Sequence, residues 1–169
     1  MVKSRMLKAS LVIGIVVGVA LVAAPIAPSG TPGDGDDDGR SVRGAGTTMV
    51  EGGIGSPSFT PIITKVAFHW QAGTGRFECL ALAPTEEAGT RGSGKFDTNI
   101  MYVTGAITSA DIGKDAAILR GSATVTGAGA GPEQAFTATL TGGGPGATLV
   151  LEVSGLTFRE ILLDGRFTL

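Results

Sequence analysis

The chain has 169 residues, with 28 glycines, a 5 % aromatic content, one cysteine and one histidine. A lone histidine excludes a multi-histidine metal site, and a lone cysteine excludes an internal disulfide. Thirteen basic residues against 15 acidic ones give a net charge of −2, which argues against nucleic acid or an anionic membrane surface as partner, since both reward basic patches.

The first segment, 1–27, opens with Lys3, Arg5 and Lys8, followed by the uncharged run LVIGIVVGVALVAA from Leu11 to Ala24. Positive residues, an apolar stretch and small residues beyond it are the parts of a secretory signal peptide. The run has 14 residues, short of the roughly 20 that span a bilayer, and the GxxxG of Gly14 and Gly18 adds little in so short a segment. Pro25, Ile26 and Ala27 lengthen the run, so an uncleaved N-terminal anchor remains the alternative. Either way the expected location is secreted, extracellular or at the cell surface, with membrane contact only through an uncleaved leader. Loss of the three leader cations leaves ten basic residues against 15 acidic ones, a net charge of −5. Cys79 then reads as a buried thiol, a small hydrophobe, in preference to an intermolecular bond.

Residues 28–46 are mostly Gly, Pro, Ser and Asp, with Val42 as their one large apolar residue. Such a segment buries too little to offset its ordering entropy and reads as a disordered linker. Within it Asp34, Asp36, Asp38 and Gly39 occupy positions 1, 3, 5 and 6 of an EF-hand loop, but Ala45 stands where that loop needs a bidentate Glu. The aspartates are expected to form a solvated spacer that attracts Ca²⁺ weakly and without selectivity.

From Thr47 to Leu169 short β-branched runs alternate with glycine-rich turns, the pattern of an all-β barrel or barrel-like sandwich. In KVAFHWQ, Val66, Phe68 and Trp70 share a face opposite Lys65, Ala67, His69 and Gln71. RFECLALA and NIMYVTGAIT are apolar on both faces. In AAILRGSATVT, Ala117, Leu119, Ala123 and Val125 oppose Arg120, Ser122, Thr124 and Thr126. In QAFTATLT, Phe136, Ala138 and Leu140 face one way, and in ATLVLEVS, Leu149, Leu151 and Val153 do so. Period two of this kind means strands with one buried and one wet face. Asp164-Gly165 is a two-residue hairpin signal, which makes RFTL a closing strand. The expected domain, 47–169, is a single antiparallel β-barrel of about eight strands.

Motifs with chemistry are few. GTRGSGKF, Gly89–Phe96, resembles a Walker A loop but has Phe96 in place of the Mg²⁺-binding hydroxyl and leads into a strand pattern. His69 sits on a polar face. Cys79 and His69 lie on differently patterned faces. Glu86 and Glu87 are loop neighbours whose side chains diverge, and no GxSxG elbow occurs. No catalytic set, cofactor or specific metal site is expected.

The succession GAGTT, KVAFHW, GTGRFECLAL, GSGKFD, YVTGAI, AAILRGSATVTGAG, AFTATLTGGGPGATLVLEV and DGRFTL, over roughly 44–169, resembles the C-terminal β-barrel domains of secreted bacterial surface proteins, the post-COAP-1 type. The resemblance implies a barrel fold and an exported location, and carries no catalytic residues. The expectation is thus a non-catalytic exported barrel module with a structural or interaction role and an extracellular partner. The alternative is a carrier of a small apolar ligand in the barrel interior, lined by Phe68, Trp70, Phe77, Met101 and Tyr102, unless these form an ordinary core. The small inward residues Ala117, Gly121, Ala123 and Ala138 suit either a tight taper or a hollow. A barrel enzyme, the third reading, needs His69 or a carboxylate aimed inward.

Overall fold

The computed structural model describes residues 39–52, 60–85 and 95–169. The leader, Asp34, Asp36, Asp38, Glu86, Glu87 and most of the Walker-like loop lie outside them. The described chain is all β. Eight strands, β1 (Ser41–Val50), β2 (Ile63–Gln71), β3 (Thr74–Pro84), β4 (Phe96–Ile112), β5 (Ala116–Gly127), β6 (Gly131–Thr141), β7 (Thr148–Val153) and β8 (Leu156–Thr168), close into one barrel. Each pairs antiparallel with its chain neighbour, and β8 returns to β1 from Arg43↔Thr168 to Val50↔Glu160. This up-and-down closure gives every strand a paired neighbour on both sides.

The alternation read from the sequence is the inside–outside alternation of the barrel. Val66 and Phe68 are buried while Lys65, Ala67 and His69 are exposed. Leu119, Ala123, Val125, Phe136, Ala138, Leu140, Leu149, Leu151 and Val153 all point into the core. The two ambiguous strands follow the same rule. β3 turns Phe77, Cys79 and Ala81 inward and leaves Leu80 and Leu82 half-buried outside. β4 turns Met101 and Val103 inward and Tyr102 outward.

Two expectations are corrected. The linker expected over 28–46 yields to strand at Ser41, because Val42 is fully buried and Ser41–Gly46 pair with β2, four of them also with β8. Asp164-Gly165 is not a hairpin. It lies inside β8, where a one-residue bulge sets Thr47 opposite Asp164 but Thr48 opposite Leu162. The bulge changes the parity of the strand. Glu160 and Leu162 face inward before it, and Phe167 faces inward after it. Without that extra residue in the register Phe167 would point to solvent. Hairpin turns form instead at Ala72-Gly73 and Ser154-Gly155, whose residues all have positive φ.

The far half of the barrel is filled by phenyl rings set against glycines. Phe68 packs on Phe167 (centroids 5.2 Å apart) and Phe77 on Phe136 (5.1 Å). Gly44 lies across from both Phe68 and Phe167, Gly105 from Phe77 and Gly121 from Phe136. A Cβ on Gly44 would meet both rings at 2.6 Å. Gly44 and Gly121 therefore make room for phenyl rings.

Candidate functional site

β1, β3, β5 and β7 end, and β2, β4, β6 and β8 begin, at one rim of the barrel. There the phenyl packing gives way to a cavity of about 610 Å³, within the ~300–1,000 Å³ of small-molecule sites. Val50, Ile62, Ala81, Ile100, Met101 and Phe158 form its apolar wall. Glu51, Ala128, Leu156, Thr157 and Arg159, all exposed, form its rim. Thr64 and Glu160 complete the lining as its most buried polar residues.

The register builds the inner end. Thr48, Thr64, Ala81 and Met101 are successive cross-strand partners from β1 to β4. Glu160 pairs with Val50, one inward step from Leu162, the partner of Thr48, so its side chain reaches Thr48 along the diagonal. The hydroxyl of Thr64 lies 2.5 Å from Glu160 Oε2. Thr48 Oγ1 bonds the same oxygen and also Thr64 Oγ1. Both threonine hydroxyls thus donate to one carboxyl oxygen of Glu160.

Burial pushes the Glu160 carboxyl above its usual range, and the two threonine bonds offset this only in part. Cys79, in the same cluster, is pushed strongly upward by burial and then by Glu160, against a hydrogen bond with Thr64. Its thiol stays protonated at neutral pH, and it is a buried hydrophobe. His69 is exposed on the outer face, so it and Cys79 stand on opposite sides of the barrel wall.

Of the five residues expected to line a ligand cavity, only Met101 does so. Phe68 and Phe77 belong to the packed core. Trp70 lies toward the opposite end, opposite Val42 and Gly75, and Tyr102 faces outward. Glu160, Thr48 and Thr64 were not anticipated. The signal was present in Phe158, Glu160 and Leu162, where a Glu keeps step with inward apolar residues, and in Thr64, which is in phase with Val66 and Phe68. Among the described residues no three His, Cys, Asp or Glu side chains gather as a metal site.

No family model, curated protein or solved structure matches the chain.

Proposed function

We propose that the protein is a non-catalytic, exported barrel module that holds one small, largely apolar ligand at the mouth of the barrel. The observation that carries this reading is the cavity with an apolar wall and a buried carboxyl at its inner end. A buried carboxyl costs several kcal/mol that apolar packing would avoid, and such groups concentrate at binding sites. Export rests on the leader-like N-terminus and on the resemblance of 44–169 to barrel domains of secreted bacterial surface proteins. The phenyl-filled half favours a second reading, a purely structural or interaction module whose partner meets the outer wall.

Titration with the uncharged fluorophore N-phenyl-1-naphthylamine separates the two. Saturable binding at one site is expected. Ala128→Trp, which narrows the rim without entering the core, should weaken it about tenfold and leave the circular dichroism unchanged. No saturable binding, or binding indifferent to Ala128→Trp, would leave the structural module as the surviving reading.

A further inference from the structure

Resting on that cavity reading, we infer that the ligand is an amphiphile whose polar end donates a hydrogen bond, a hydroxyl or an ammonium group, and that the site discriminates against a carboxylate end. Glu160 is where the selection occurs. Both threonine hydroxyls converge on Oε2, and Oε1 makes no hydrogen bond among the described residues. Nor is Oε1 sealed in the wall, since Trp70 Nε1 is the one fully buried, unpartnered side-chain atom among them. Oε1 is thus the polar atom that Glu160 presents to the cavity it lines.

The two threonine donors are spent on Oε2, so Oε1 of an ionised Glu160 offers lone pairs only. A group entering from the mouth must bring the hydrogen. A hydroxyl does this, and an ammonium does it while also neutralising the charge. A ligand carboxylate meets lone pairs with lone pairs, and like charge where Glu160 is ionised. Ile62, Ala81 and Met101, which line the same cavity, carry no side-chain donor in its place. Among the described rim residues, Glu51 and Arg159 carry opposite charges. Arg159 does permit the reverse pose, with a carboxylate outward and an alkyl tail inward. That pose sets hydrocarbon against Oε1 and forfeits its hydrogen bond.

Displacement of N-phenyl-1-naphthylamine from the full chain by decan-1-ol, decylammonium and decanoate, matched in chain length, tests this at neutral pH. The alcohol and the ammonium should each compete about tenfold or more better than decanoate, one hydrogen bond's worth of discrimination. Glu160→Gln, whose amide can donate, should erase or invert the ranking, each compound being scored against that variant's own fluorophore affinity. Glu160→Leu, with no polar atom, should erase it too and serves if the amide variant does not fold. Decanoate competing as well as decanol in the wild type would overturn the inference, as would a ranking unchanged in both variants. If neither the fluorophore nor any of the three compounds binds, the cavity reading has failed first.

Discussion

A carboxyl carried into an apolar interior loses much of its hydration, and at Glu160 two threonine hydroxyls restore only part of it. The energetic consequence is a pH dependence of definite sign. The folded carboxyl ionises at higher pH than the 4.5 of an unperturbed glutamate, so over an interval above that value the folded chain keeps a proton that the unfolded chain has released. This stabilisation is complete below the unfolded value and is lost as pH rises through the folded one. The denaturation midpoint of the wild type, taken relative to Glu160→Gln, should therefore fall between mildly acid and neutral pH. A difference that stays flat or rises would show that Glu160 is ionised throughout. The residue was legible in outline, as an acidic side chain in phase with Phe158 and Leu162. Its partners were not, because Thr48 and Thr64 lie 112 and 96 residues away and meet it only through the closure of β8 on β1.

At the scale of the strand, β8 shows how a local signal yields to pairing. Asp-Gly favours the two positive φ angles of a tight turn, yet only Gly165, at φ +107°, is in the left-handed region here. The chain continues straight on because Arg166, Phe167 and Thr168 each find a partner on β1. The glycine is required for a second reason as well, since a Cβ there would lie 2.2 Å from the carbonyl oxygen of Ala45. Gly165→Ala should cost about 1–3 kcal/mol in urea denaturation. Gly155→Ala, in a turn of similar φ with open space around it, should cost about 1 kcal/mol or less. Equal losses would mean that the close approach to β1 does not matter. The weaker Ser-Gly at 154–155 makes the turn because β7 and β8 are in register on either side of it.

Over the whole molecule, seven of the eight strand pairings join chain neighbours, and the eighth, β1 with β8, links residues more than a hundred positions apart. That seam is the last to form in any ordering that starts from local hairpins, and it carries the largest loop-closure entropy. Removing Arg166–Leu169 takes away three of its rungs and the buried Phe167, with its contact to Phe68. The truncated chain should lose about 4 kcal/mol or more and expose part of the β1 edge to self-association. Urea denaturation and size-exclusion chromatography would register both effects, and a stable monomer with near-native stability would refute this account of the closure. The period-two patterning by itself determined that the described domain is all β and which residues face inward along most strands. Each of these is set by alternation along one strand, a property local to the sequence. Tertiary structure alone decided that the phenyl rings fill one half, that the cavity opens at the other, and that a glutamate with two distant threonines marks its inner end. Those features depend on register between strands and on bulges that change parity, and both are fixed only when β1 and β8 meet.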